Sequence, residues 1–247
     1  MTSFMFALKK ELSKLIRKKK YFVLVILGAL VSILRWGGSA LISRLSDGAV
    51  SLKANIAMEM LPFAVEILVP IIIFIAVSDL FAHEYSSDTM KTCLLQPINR
   101  FGVMSAKTAA VVILGAAVLL AMYMVNTVIQ AVSGGSLSRS PITLTAYIID
   151  IIPLIGIACL GVLINVCLKS PVSAALLSLA LYALMKYAGI YMPGCESFLF
   201  TDGAKLHIMF LGQTLPFHVI INKLGILFGS ILILYSTSYI IFEKRNF

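Results

Sequence analysis

Charged residues are scarce in this sequence: they make up 13% of its 247 residues, whereas hydrophobic residues make up 60%. So little charge with so much hydrophobicity excludes a disordered chain. Soluble domains have about 45–50% apolar residues, so a soluble enzyme with a conventional nucleotide-binding domain is excluded as well. Six membrane helices of about 20 residues each would use roughly 120 apolar positions. The composition therefore predicts a polytopic membrane protein.

Motifs for catalysis and metal binding are also missing from the sequence. It contains no GxxxxGK[ST] phosphate loop, no HExxH helix and no Gly-x-Ser-Gly serine site. The four cysteines, Cys93, Cys159, Cys167 and Cys195, have neither CxxC nor metal-ligand spacing. We therefore expect no bound metal, no ATP hydrolysis by this chain alone and no membrane-embedded enzyme activity.

The net charge of +9 is concentrated near the start of the chain. Seven of the 20 Lys and Arg residues lie between Lys9 and Lys20, directly before an apolar run that begins at Tyr21. A basic cluster in this position is typical of a cytoplasmic, lipid-facing segment. The placement favours membrane lipids as partners and gives no reason to expect nucleic acid.

The first residues have the spacing of an amphipathic helix. One apolar stripe contains Phe4, Leu8, Leu12, Leu15 and Ile16. This pattern predicts an elbow helix within residues 1–19 that lies flat at the cytoplasmic interface. A signal peptide is the competing interpretation, because a basic start, an apolar run and small residues at 37–40 are its three parts. The five apolar segments that follow favour the elbow helix.

Apolar segments of spanning length occur six times. We place the spans at about residues 20–42, 57–82, 103–132, 142–168, 172–192 and 218–242. The segments assigned to the inside hold 13 of the 20 Lys and Arg residues, which puts both termini in the cytoplasm. Residues 193–216 contain apolar pieces too short to span, so we expect an outer re-entrant segment. The prediction is an all-α integral membrane protein with one transmembrane domain over residues 1–247.

The loop between spans two and three, residues 83–102, mixes acidic, hydroxyl and apolar groups. Ser87 or Asp88 is able to cap a helix start. Met90 and Leu94 give that helix an apolar side, and Pro97 ends it. The expected helix is about 15 Å long. It is either a plain connector or a docking element that fits a groove on a soluble partner.

At this loop the sequence resembles the permeases of type-2 ABC exporters. In that family, spans two and three flank an acidic residue, a Gly-Thr pair, a leucine-rich turn, and then a proline, an apolar and a basic residue. The matching residues here are Glu84, Thr89, Leu94, Leu95, Pro97, Ile98 and Arg100. Asp88 stands where the family has glycine. The layout of an elbow helix, six spans and an outer segment before the last span is similar too.

The resemblance implies a coupling helix near residues 89–97 that seats in an ATPase subunit. The residues it assigns to this contact are Glu84, Tyr85, Asp88, Thr89, Leu94, Leu95, Pro97 and Arg100. It also implies two permeases, identical or related, above two ATPase subunits that bind ATP and magnesium. The compact design is typical of a bacterial plasma membrane. The implied task is export of an amphipathic or hydrophobic compound such as an antimicrobial peptide or a drug, with lipid-linked glycans as an alternative.

Ionisable residues inside the spans are candidates for the transport pathway, because charge in hydrocarbon costs at least ~2.5–3.5 kcal/mol per residue. Four of them lie roughly 9–13 Å below the predicted outer boundary: Arg35, Glu66, Asp150 and Lys186. In one interpretation Glu66 or Asp150 pairs with Lys186 or Arg35 in a polar belt that faces a dimer cavity. In the other they form ordinary interhelical pairs or reach the headgroups. Asn126 either contacts substrate or hydrogen-bonds between helices.

Two prolines flank Glu66 in span two, Pro62 and Pro70. They predict kinks that either serve gating or are passively tolerated. A secondary transporter or channel that carries ions on Glu66, Asp150 and Lys186 is the alternative to an exporter.

Overall fold

The structure is a computed structural model that describes residues 2–45, 55–87, 99–134, 138–191, 201, 206 and 217–244. The regular elements within these ranges are all helical. They are α1 (Thr2–Ile16), α2 (Lys19–Leu45), α3 (Ile56–Phe63), a π-helix (Ala64–Leu68), α4 (Val69–Leu80), α5 (Ala82–Ser86), α6 (Arg100–Val132), α7 (Ser140–Ile149), α8 (Ile151–Cys167), α9 (Pro171–Tyr191) and α10 (Phe217–Lys244).

Six helical stretches in the described ranges are long and apolar enough to cross a membrane, which confirms the predicted number. Span one is α2, span two runs from α3 to α5, and span three is α6. Span four consists of α7 and α8, span five is α9 and span six is α10. The helix ends lie within about four residues of the predicted bounds.

The chain turns at Arg17 and Lys18, so that α1 is a helix separate from span one. Its position on a membrane surface remains a prediction. The outer re-entrant segment predicted at 193–216 lies outside the described residues, apart from positions 201 and 206.

Spans two, three and four form the centre of the bundle. In their most apolar stretches, 67%, 50% and 67% of the residues are buried, against 17%, 17% and 11% in spans one, five and six. In the centre, helices α4, α6 and α8 contact one another. Of the peripheral helices, α9 packs on α4 and α8, and α10 packs on α8. Helices α1 and α2 both pack on α6. The peripheral spans therefore direct large apolar side chains outward, as suits hydrocarbon.

Peripheral span one approaches the centre through a glycine. A Cβ atom at Gly28 would lie 2.6 Å from Leu68 Cδ2 and 3.1 Å from Met122 Sδ. The missing side chain lets α2 contact both the π-helix and α6, because small residues allow membrane helices to approach closely.

The π-helix is the irregular part of span two, between Pro62 and Pro70. The Val69 N–H bonds to the Ala64 carbonyl five residues earlier. Because Pro70 has no N–H, the Glu66 carbonyl loses its intrahelical donor. The Tyr182 hydroxyl of α9 donates to this carbonyl at 3.3 Å. The proline pair thus produces a π turn whose freed carbonyl is satisfied by span five.

Span four is interrupted at Asp150, a break that the prediction of one continuous span at 142–168 did not include. Helix α7 ends at Ile149 and α8 begins at Ile151. Pro153 has no N–H for the Ile149 carbonyl, and its ring crowds that carbonyl. A proline three residues into α8 therefore accounts for the interruption.

Candidate functional site

Two acids and two lysines form a cluster at the end of the bundle where α1 lies. The cluster consists of Glu11 and Lys14 of α1, Glu84 of α5 and Lys107 of α6, and we name it the four-charge cluster. Lys107 Nζ lies 2.7 Å from Glu84 Oε2, and Lys14 Nζ lies 2.8 Å from Glu84 Oε1. Lys14 is 3.0 Å from Glu11 Oε1, and Lys107 is 3.4 Å from Glu11 Oε2. The charges balance, and they join three helices.

Three of the four members of the cluster are almost closed to solvent, whereas the Lys14 side chain is 34% exposed. Lys107 is 0% exposed, Glu11 5% and Glu84 8%. Partial burial lowers the pKa of Lys14, but the hydrogen bonds and charges of Glu84 and Glu11 outweigh this effect and raise the pKa above its ordinary value. Because three of the four groups are buried, loss of one partner would leave a buried charge without compensation.

A second anchor lies beside the cluster, at the junction of α1 and α2. Asp79 of span two accepts a hydrogen bond from the Tyr21 hydroxyl at 2.5 Å. The ammonium groups of Lys20 and Lys18 lie 2.5 Å and 3.2 Å from the same carboxylate. The second half of α1 and the start of α2 are therefore held against the end of span two.

Described residues on both sides of the predicted coupling helix contact other parts of the chain. On the entering side, Glu84 contacts the two lysines of the four-charge cluster, and Tyr85 packs against the core. On the leaving side, Arg100 Nη1 donates to the Glu243 carbonyl of α10 at 2.7 Å. The loop is thus attached at one end to α1 and α6 and at the other end to span six.

Five of the residues assigned to the ATPase contact lie outside the described ranges: Asp88, Thr89, Leu94, Leu95 and Pro97. The structure describes Glu84 and Arg100, and the charged side chains of both contact groups of the same chain.

Lys186 and Glu66 form an ion pair between spans two and five. The Lys186 ammonium donates to Glu66 Oε2, and the two side chains are 21% and 22% exposed. The pair borders a groove of about 330 Å³. Its other walls are formed by Ile67, Pro70, Ile71, Leu179, Tyr182, Ala183 and Tyr187. The groove is therefore apolar with one charged pair, and it opens to the outside of the chain.

The remaining pathway candidates lie elsewhere. Arg35 of span one contacts Glu59 of span two at 3.3 Å, and both side chains are exposed. Asp150 is fully buried at the break in span four.

Asn126 belongs to a buried polar contact between three spans. Its amide donates to the Tyr147 hydroxyl at 3.3 Å, and that hydroxyl donates to the Ala57 carbonyl at 2.9 Å. These three residues come from spans three, four and two, so the contact joins the central spans. Asn126 is fully buried there, away from the groove.

Glu11, Lys14, Asp79 and Lys107 are not among the predicted site residues. A signal was present, because Asp79 and Lys107 fall inside predicted spans, where a charge marks a candidate site. Both residues lie near the predicted inner ends of their spans, whereas the predicted pathway charges lie in the outer half of the membrane.

A family model described as ABC-2 family transporter protein matches residues 7–189. The matched range contains the four-charge cluster, the predicted coupling loop and the Glu66–Lys186 pair. It ends within α9, before span six. Among curated proteins, none matches the chain.

Proposed function

The chain belongs to the ABC-2 transporter family and is a multi-pass membrane permease, and we propose that it serves an ATP-driven exporter. Members of this family are membrane subunits and not themselves enzymes. Two separate ATPase subunits would bind ATP and magnesium, and a second copy or a related permease would complete the pathway. The observation that carries this proposal is the family match over residues 7–189 in a chain with six spanning helices.

The α1 end of the bundle is cytoplasmic in this proposal. The seven basic residues from Lys9 to Lys20 lie there, together with the predicted coupling loop. Helix α1 lies along the inner membrane interface as an elbow. Its exposed Met5, Phe6 and Ile16 face the acyl boundary.

The loop receives the ATPase motion, and the four-charge cluster passes it on. Leu94 and Leu95 contact the ATPase, whereas Glu84 positions the base of the loop through Lys14 and Lys107. Separating these groups would leave buried charges unpaired. The base of the loop, α1 and the start of α6 therefore move together. Arg100 links the other end of the loop to α10.

The cargo pathway includes the groove between spans two and five. Its apolar walls and single ion pair fit an amphipathic or hydrophobic compound, such as an antimicrobial peptide or a drug. Ligand sites have volumes of about 300–1,000 Å³, so the groove, at about 330 Å³, suits one part of such a compound. The second permease would supply the facing wall.

Co-purification with the ATPases encoded beside the gene tests the proposal. We expect the wild-type chain to retain one of them in detergent and to stimulate its ATP hydrolysis. Leu94→Asp places a charge on the apolar side of the coupling helix and abolishes both effects. Ser173→Asp is the matched control, because it adds the same charge at an exposed position in the first turn of α9, on the same predicted side of the membrane. Normal binding and stimulation by Leu94→Asp would overturn the coupling assignment.

A further inference from the structure

Helix α1 has two different faces. Ala7, Glu11 and Leu15, spaced four residues apart, are buried against the bundle. Lys9 and Lys10 lie on the other side and are exposed. The buried face is already explained by packing on α6 and by the four-charge cluster. The exposed face also carries cations, which packing on the bundle does not explain.

The basic residues at the start of the chain divide into two groups. Lys14, Lys18 and Lys20 each contact a carboxylate of the bundle. Lys9, Lys10, Arg17 and Lys19 are exposed, and none of them contacts an acidic side chain within the described ranges. Four cations with no acidic partner in the described ranges therefore lie between residues 9 and 19 of the chain.

Large apolar side chains accompany these four cations. Met5, Phe6, Ile16 and Phe22 are each more than half exposed. An acidic protein surface would neutralise the cations but leave these side chains against polar groups. A lipid surface satisfies both, because acyl chains accept the apolar side chains and anionic headgroups accept the cations.

We propose that the exposed face of α1 and the start of α2 form a binding site for anionic phospholipid headgroups, made by Lys9, Lys10, Arg17 and Lys19. The site rests on the proposed position of α1 at the inner membrane interface. Because the opposite face of α1 holds Glu84, a bound headgroup anchors the base of the coupling loop to the membrane surface. Lipid charge then sets how firmly the loop is held when the ATPase moves it.

Lipid binding to the purified full-length chain tests the site without any ATPase or cargo. The chain in non-ionic detergent is titrated with phosphatidylglycerol or phosphatidylcholine, and bound lipids are counted by native mass spectrometry. We expect a clear preference for phosphatidylglycerol. Each neutralised cation lowers phosphatidylglycerol binding about fivefold. The quadruple variant Lys9→Gln/Lys10→Gln/Arg17→Gln/Lys19→Gln therefore binds the two lipids alike.

A matched pair of double variants shows whether position matters. Lys9→Gln/Lys10→Gln and Arg139→Gln/Lys169→Gln each remove two exposed positive charges, but only the first pair lies on α1. The first variant loses phosphatidylglycerol binding and the second retains it. Equal losses would overturn the site, as would an unchanged lipid preference in the quadruple variant. The proposal also fails if the quadruple variant keeps its lipid preference but no longer co-purifies with its ATPase, because the cations would then serve a protein contact.

These outcomes are separate from the proposed export function. Lipid preference is measured on the permease alone, so it stands or falls without reference to transport. Failure of the Leu94→Asp experiment would remove the coupling role and leave the lipid site untouched.

Discussion

The four-charge cluster and the Glu66–Lys186 pair both place charge within the helical bundle, but in different surroundings. The cluster joins four groups from three helices, and its least exposed member, Lys107, is 0% exposed. The pair has two members, each about one-fifth exposed, beside an open groove. The comparison indicates that buried charges hold helices together, whereas charges at the groove remain accessible to a ligand.

The position of each group in the bundle explains the difference. Lys107 belongs to a central span and is covered by α1, so only ion partners from its own chain can compensate its charge. Lys186 belongs to a peripheral span, where one side of the helix has no cover from the described part of the chain. We therefore expect substitutions in the cluster to affect stability and substitutions in the pair to affect transport.

The largest effect is expected for Lys107→Met. It leaves Glu84 and Glu11 with one lysine between them, and breaking a buried ion pair costs about 3–5 kcal/mol. Heating in detergent followed by size-exclusion chromatography measures the loss of folded protein. The double variant Lys107→Met/Glu84→Gln recovers part of the stability. A single variant as stable as wild type would remove the distinction between cluster and groove.

Tyr147→Phe is expected to have the next largest effect. It deprives the Ala57 carbonyl of a donor and the Asn126 amide of an acceptor inside the central spans. A buried polar group left unsatisfied costs about 1–3 kcal/mol. The same heating assay tests this, with Tyr191→Phe at an exposed position as the control. Equal stability of the two variants would show that the buried contact contributes nothing.

Glu66→Gln is expected to change stability less than the two substitutions above, because the glutamine side chain still accepts a hydrogen bond from Lys186. Export should nevertheless fall several-fold, since the groove loses its anionic group. The measurement is cargo export from cells at matched levels of membrane-inserted protein. Glu59→Gln, in the exposed pair with Arg35, is the matched control. Unchanged export by Glu66→Gln would remove Glu66 from the pathway.

The smallest effect is expected for Arg35→Gln. Its ion pair with Glu59 lies at the edge of the bundle, where the long arginine side chain is able to reach toward the headgroups, so we expect the pair to contribute little to helix packing. Melting and export should both match wild type. A strong export defect would instead place Arg35 in the pathway beside Glu66.

The sequence predicted the number of spans because hydrocarbon thickness fixes the length of an apolar helix. The irregularities were only partly predictable. Pro62 and Pro70 marked the distortion of span two, but neither proline shows that Tyr182 would supply the missing donor. The break at Asp150 was missed because span length alone does not register the effect of Pro153.

The candidate site was less predictable than the spans. Lys14 and Glu84 are 70 residues apart in sequence, so their contact depends on how α1 packs against the end of span two. Periodicity places Glu11 and Lys14 on α1 but does not say which helix they meet. For Glu66, the sequence offered two cationic partners, Lys186 and Arg35, and the structure pairs it with Lys186. The choice between these two partners depends on how the helices pack, which the sequence pattern does not show.

Transport by reconstituted vesicles tests the central claim most directly. The purified chain is placed in liposomes either alone or with its co-purified ATPase and MgATP, and accumulation of an amphipathic antimicrobial peptide is measured. The account predicts accumulation against the gradient only when ATPase and ATP are both present. Uphill movement by the chain alone, driven by an imposed proton or sodium gradient, would contradict the account and would identify a secondary transporter.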